Sequence, residues 1–356
     1  MTTRRCRSSQ RNTRATGGHS APQVVLNVRL QAMKLHQIIN LRGWHQRKLT
    51  VGYGTRDKTV LKQTGRGKVY FLAKSYDKDV GELRSEVCAS NIGRLFGFPV
   101  QKTWLCKIPQ HKSLGLRHPI GVLIQLDVRR QKDTRRGQFR EDLLHGADLI
   151  SLVDRKFAAV KNLKEKRKIY TLGLAVKAIR NYVAKHRGSE LLWEQFFELL
   201  VFDALIGGTD RHYYNWGVLE KADSGKFLRL APAFDNGVSL LWKMEQYRPQ
   251  FVSLRSRDFA KRAEAMFKKP AAGKYTLFEV LEALYQVEEY QKSNLAQRVL
   301  DRISKISDAR IKYAILHNVP QDADFVTGKG ELEVVCLYVQ VRLEILKQTL
   351  SKLAGI

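Results

Sequence analysis

The stretch GGTDRHYYNWGVL (residues 207–219), followed by LAPAFDNGVSLL (residues 230–241), decides how this chain is read. Asp210 and Asn215 stand in the spacing Asp-x-x-x-x-Asn, and Asp235 opens an Asp-x-Gly after what reads as a β-hairpin. Three oxygen side chains in that order suit phosphoryl transfer. One carboxylate orients a hydroxyl and accepts its proton, while an amide and a second carboxylate hold Mg²⁺ on a nucleotide's phosphates. Asp and Asn are common loop residues, so the spacing takes its weight from its surroundings.

Upstream, the pattern is that of a small sheet with one helix. LTVGYGTRDKTVL (49–61) reads as strand, Gly turn, strand, and KVYFLAKSY (68–76) as a third strand. GELRSEVCASNIGRLFG (81–97) follows as a helix with Leu83, Val87 and Leu95 on one side, closed by Gly97 and Pro99. TWLCKI and IGVLIQLDV add two strands. Side chains alternate along a strand, so Leu72 and Lys74 share a face opposite Phe71 and Ala73. Lys74 is therefore placed to reach nucleotide phosphates, with Glu82 or Glu86 on the next helix as its anionic partner. SELLWEQFFELLVFDALIGG (189–208) is an apolar helix leading into the Asp210 loop, and residues 258–318 and 331–353 read as amphipathic helices. The expected fold is α+β and bilobal, like a protein kinase. A basic segment over residues 1–45, expected to be disordered at its start, precedes a small antiparallel-sheet lobe over 46–130 and a larger helical lobe over 131–356.

Bulk properties narrow the class. The 356 residues carry 63 Lys and Arg against 34 Asp and Glu, a net charge of +29. Such a field attracts polyanions, so acidic proteins and nucleic acid are both open as partners. No acid precedes Asp57, yet most of the positive excess lies beyond the N-terminal segment. Cys6, Cys88, Cys106 and Cys336 are scattered without a CxxC, which favours a reducing, cytoplasmic setting and no zinc site. No apolar run reaches membrane-span length, and no GxxxxGK[ST] phosphate loop is present.

With these residues in place, the chain resembles the HipA-like Ser/Thr kinases, a bacterial family that includes toxin components of toxin–antitoxin pairs. VGYGTRDKTVL is similar to the family's phosphate-contacting loop. YFLAK with SEVCASNIGRLFGFPV resembles its strand lysine and helix glutamate, which favours Glu86 over Glu82. GGTDRHYYNWGVL and LAPAFDNGVSLL resemble its catalytic loop and metal-binding motif. The resemblance implies ATP and Mg²⁺ as cofactors, Asp210 as catalytic base, and Asn215 and Asp235 as metal ligands. Lys74 would bind phosphate, oriented by Glu86, with Gly54, Thr55 and Lys58 covering the phosphates. Gln125 to Asp127 would meet the adenine edge, and His212 would shape the loop beside the nucleotide. Thr55 and Thr59 are candidates for autophosphorylation. A protein substrate and an antitoxin or acidic partner are implied as well. HipA itself carries a further N-terminal module, so this chain is expected to be a kinase core alone.

Two other readings compete. A lipid or small-molecule kinase would keep the fold and change the acceptor; a polycationic acceptor fits badly with so basic a chain. A non-catalytic basic nucleic-acid-binding protein on a kinase-like scaffold rests on charge alone, with no nucleic-acid-binding motif behind it.

Overall fold

The alternation Tyr70, Leu72, Lys74 against Phe71, Ala73, Ser75 puts both faces of one strand to use. In the computed structural model it forms the middle of a six-stranded sheet. The structure describes residues 37–42, 44–47, 57–62, 70–76, 80–126, 141–253, 256–270, 273–325 and 327–356. The strands of this sheet are β1 (Ile39–Asn40), β2 (His45–Arg47), β3 (Lys58–Lys62), β4 (Tyr70–Ser75), β5 (Thr103–Lys107) and β6 (Ile120–Leu126), in the order β1-β5-β6-β4-β3-β2. All pairings are antiparallel except β1 with β5.

Register fixes which side chains share a face. Lys58 pairs with Lys74, Val60 with Leu72, Leu72 with Ile124, and Lys74 with Val122, so these residues look toward the helix α1 (Val80–Leu95). The other face is covered by aromatic residues: the Phe71 ring meets Trp44 at 5.1 Å and Trp104 at 6.3 Å, both edge-on. Leu41 and Trp44 are buried there. The sheet therefore begins before the expected boundary at residue 45, because its second apolar face needs a cover. The strand expected from residue 49 and the loop at 51–56 lie outside the described residues, as does the segment 1–36.

Helix α1 is buried nearly all round, from Glu82 to Gly93. One side lies on the sheet, and the other meets the segment that follows Asp235 and the helical part of the chain. That part is built from α2 (Gly146–Ser151), α3 (Arg155–Ala159), α4 (Leu163–Ile169), α5 (Leu172–Lys185), α6 (Leu191–Ile206), α7 (Met244–Ser253), α8 (Ser256–Lys261), α9 (Leu277–Leu284), α10 (Glu288–Gln291), α11 (Leu295–Ser304), α12 (Asp308–Lys312) and α13 (Lys329–Ala354). Its axis is α6, fully buried over residues 199–206 and enclosed by α9, α5, α13 and the strand Phe227–Leu230. No described helix is long and apolar enough to cross a membrane.

A three-stranded sheet and a separate hairpin interrupt the helices. The hairpin read before Asp235 is β8 (Gly217–Lys221) with β9 (Phe227–Leu230), and β7 (Glu141–His145) adds a third strand that the sequence reading omitted. Residues 258–318, read as helical throughout, instead contain the hairpin β10 (Glu264–Lys268) and β11 (Lys274–Thr276). Its Glu264–Lys274 pair at 3.5 Å supplies cross-strand contact that a helical periodicity count cannot register.

Candidate active site

Helix α6 ends at Gly207, whose φ of 66° turns the chain out of the helix. A side chain there would be strained, and its Cβ would lie 2.4 Å from the Tyr338 hydroxyl. The turn delivers Thr209 and Asp210 to the junction with the sheet. The Asp210 carbonyl then accepts from His212 N and from Asn215 Nδ2, both at 2.8 Å, and Asn215 N donates to the His212 carbonyl at 2.8 Å. These bonds close residues 210–215 into a compact loop with the Asp210 carboxylate outside it.

Arg211 is the loop's anchor. Its guanidinium makes a paired contact with Asp203 of α6, at 3.0 and 2.8 Å. It also donates to the carbonyls of Asn215 and Phe234 at 2.8 and 2.7 Å and to Asn236 Oδ1 at 2.8 Å. Burial would lower its pKa, but the Asp203 carboxylate outweighs that and keeps it cationic. One buried side chain thus ties α6, the Asp210 loop and the Asp235 loop together. Neither Arg211 nor Asp203 is among the site residues expected from the sequence. The signal was present: a lone Asp in the apolar run LLVFDALI must have a partner.

The sheet and α1 supply the other half. Lys74 Nζ lies 2.9 Å from Asp235 Oδ1 and 3.4 Å from Glu86 Oε1. Glu86 Oε2 accepts from Asn236 N at 3.1 Å. Of the two glutamates on α1, Glu86 is the one that meets Lys74. Burial would push Lys74 down, yet the Asp235 and Glu86 carboxylates prevail and hold the ammonium well above its ordinary range. Asp235 is held low by the Lys74 charge, while burial raises Glu86 despite Lys74. Asp235 also adopts a φ of 57°, a left-handed conformation that Asp tolerates better than most residues. Lys58, paired with Lys74 across β3 and β4, has its pKa lowered by burial and by the Lys74 charge.

Asp210 differs from Asp235. Burial raises its carboxyl to about 6, against the pull of Arg167 on α4, whose guanidinium stands 3.9 Å away. His212 is pushed down to about 4 by burial and by Arg167, so its ring is neutral near pH 7. Its Nδ1 accepts from Tyr214 N at 3.1 Å and its Nε2 lies 3.9 Å from Asp210 Oδ2. The Tyr214 bond holds the ring against its own loop.

The donor set fits Mg²⁺. Asn215 donates through Nδ2 within the loop, which leaves Oδ1 as its acceptor, and Asp235 keeps Oδ2 beside the oxygen that meets Lys74. Mg²⁺ takes hard oxygens, often one or two protein groups completed by phosphate and water. Among the described residues no three His, Cys, Asp or Glu side chains gather as a metal cage. Gly54, Thr55 and Asp127 lie outside the described residues. Gln125 is at the end of β6, but its N–H already donates to the Lys102 carbonyl at 2.9 Å, so that donor is spent within the sheet. Thr59 is buried in β3 opposite Ala73, which withdraws it as a modification site in this conformation.

A lysine held between a helix glutamate and a loop aspartate, facing a second loop with Asp and Asn, is a kinase-like arrangement. The family model described as the HipA-like C-terminal domain matches residues 50–308. The chain belongs to that family. Its fold is similar to the crystal structure of the Helicobacter pylori proinflammatory kinase CtkA, with a TM-score of 0.66 and 19% identity, covering 90% of this chain and 99% of the other. It is also similar to HipA of Shewanella oneidensis MR-1, solved in complex with HipB and operator DNA. There the TM-score is 0.51 and the identity 12%, over 86% of this chain and 67% of that one. No curated protein matches the chain in sequence. As a HipA-like protein it has the mixed α+β, two-part kinase-like fold that its sequence led one to expect.

Proposed function

We propose that this HipA-like protein is an ATP- and Mg²⁺-dependent kinase that phosphorylates Ser or Thr hydroxyls of proteins. The observation that carries the reading is the charge relay Glu86–Lys74–Asp235, with contacts of 3.4 and 2.9 Å, built across the sheet, α1 and the Asp235 loop. Lys74 and Glu86 are buried while Asp235 stands at the open side of the cluster; burying charges with no ligand to serve is costly, and such clusters concentrate at working sites. The division into a sheet lobe over 46–130 and a helical lobe over 131–356 belongs to the same proposal.

In the reaction, Asp210 accepts a hydrogen bond from the acceptor hydroxyl and aims its oxygen at the γ-phosphorus. The new O–P bond forms as the bond to the departing nucleoside diphosphate breaks, and the hydroxyl proton passes to Asp210. Lys74, set by Glu86, offsets charge on the phosphate oxygens. Asn215 and Asp235 would hold Mg²⁺, which neutralises phosphate charge when bound. Arg211 orients both loops from within the core. The HipA of S. oneidensis is held with HipB and DNA; on that likeness and the net charge of +29, an acidic or antitoxin partner is proposed for this chain too.

Asp210→Asn and Asp235→Asn should each lower transfer from labelled ATP by about three orders of magnitude. Asp210→Asn should do so without lowering the melting temperature, since burial penalises its charged form. Near-normal labelling by both variants would refute the assignment.

A further inference from the structure

A cavity of about 510 Å³ has Thr209 and Asp210 in its wall, but none of Lys74, Glu86, Asn215 or Asp235. Its other walls are apolar and aromatic, with Trp242, Tyr247, Phe259 and Met266 among them. The nucleotide groups and this cavity thus meet at Asp210 from different directions. We propose that the cavity receives the acceptor polypeptide: it seats a large apolar side chain next to the hydroxyl residue that Asp210 holds, and Arg262 at its rim meets an acidic residue nearby. The inference rests on the kinase reading above and adds which side chains flanking the acceptor hydroxyl that same site selects.

Four observations converge on it. First, a group filling the cavity stands against Asp210, next to where an acceptor must be. Second, the volume and apolar lining fall in the range of sites that bind ligands by burial. Third, among the described residues the rim carries one cation, Arg262, outside any ion pair. Lys274 is paired with Glu264 at 3.5 Å, whereas Arg262 makes no ion pair among the described residues. Arg167 adds positive charge on the Asp210 side.

Fourth, the wall is strained and braced. Leu240 and Leu241 have φ of 49° and 57°, left-handed conformations that bulky residues rarely adopt. They are held by the Leu240 N bond to the Ile206 carbonyl and by bonds from Ser85 Oγ to the Ser239 carbonyl and from Arg84 to the Leu241 carbonyl. Strain held in place this way belongs to surfaces that work. A polypeptide presents a hydroxyl, an apolar side chain and a carboxylate at successive positions, which the cavity and its rim require together. A small apolar alcohol supplies only the first two.

The test uses the full chain, ATP·Mg and synthetic peptides with one Ser, whose neighbouring residues are Leu or Phe, Ala, or Lys, with or without a flanking Glu. The expected result is a KM about tenfold lower for the large apolar neighbour than for Ala, and a further gain from Glu. Met266→Glu should remove the apolar preference while its Kd for ATP·Mg stays at the wild-type value. Arg262→Ala, an exposed change that spares the core, should remove only the gain from Glu.

Peptides phosphorylated alike whatever their neighbours, by protein that binds and turns over ATP, would overturn this inference and leave the kinase reading standing. So would 2-phenylethanol phosphorylated as well as the best peptide, which would give the cavity to a small molecule. Failure to bind or turn over ATP at all would overturn both.

Discussion

In the proposed reaction, Asp210 is the residue on which proton chemistry turns. Its folded pKa of about 6 lies above that of an ordinary carboxyl, so the base form prevails above pH 6 and is lost as pH falls through that value. The profile of kcat/KM should therefore show an acid limb near pH 6, with about a tenfold loss one unit below it. Arg167 pulls that pKa down, so Arg167→Ala should move the limb to higher pH. A limb that stays in place would separate Arg167 from Asp210. At this scale the sequence was informative about which residues gather and silent on which states they adopt. Strand alternation found Lys74, but only burial and neighbours decide that Asp210 is held high and Asp235 low.

Among elements, α1 is the one that fastens both the lysine site and the cavity wall, so under the proposed function both substrates depend on it. Glu86 fixes Lys74 and the Asn236 amide, while Ser85 and Arg84 fix residues 239–242 along the cavity wall. The contact is close: a Cβ on Gly81 would lie 1.8 Å from the Trp242 carbonyl oxygen. Gly81→Ala should thus displace α1, cost about 1–3 kcal/mol of stability, and raise KM for both ATP and acceptor. Chemical denaturation alongside steady-state kinetics reads both, and an unchanged midpoint with unchanged KM would show that α1 is not so fastened. The helix itself was legible from its apolar spacing. Its all-round burial was not, because the segment covering its other side lies over 150 residues away in sequence.

At the scale of the molecule, the net charge of +29 governs encounter more than fold. Exposed bases crowd α4, where LKEKRKI runs past Asp210. Retention of duplex DNA should lose about 10³-fold in affinity between 50 and 200 mM salt, equally for unrelated sequences. Filter binding over a salt series measures it, and a strong preference for one sequence would instead revive the nucleic-acid-binding reading.

The sequence by itself determined the order of parts: a strand lysine, a helix glutamate, an Asp-x-x-x-x-Asn loop and an Asp-x-Gly after a hairpin. It did so because side-chain alternation, helical spacing and turn residues are local and leave local marks. It could not give the β10–β11 hairpin, whose partner strands lack a clear period, or the cover that Leu41 and Trp44 place on the sheet. The Lys74–Glu86 contact, the Asp203–Arg211 anchor and the cavity beside Asp210 were decided only in the tertiary structure. Each depends on distances between residues remote in sequence, and burial then sets the charge those residues carry.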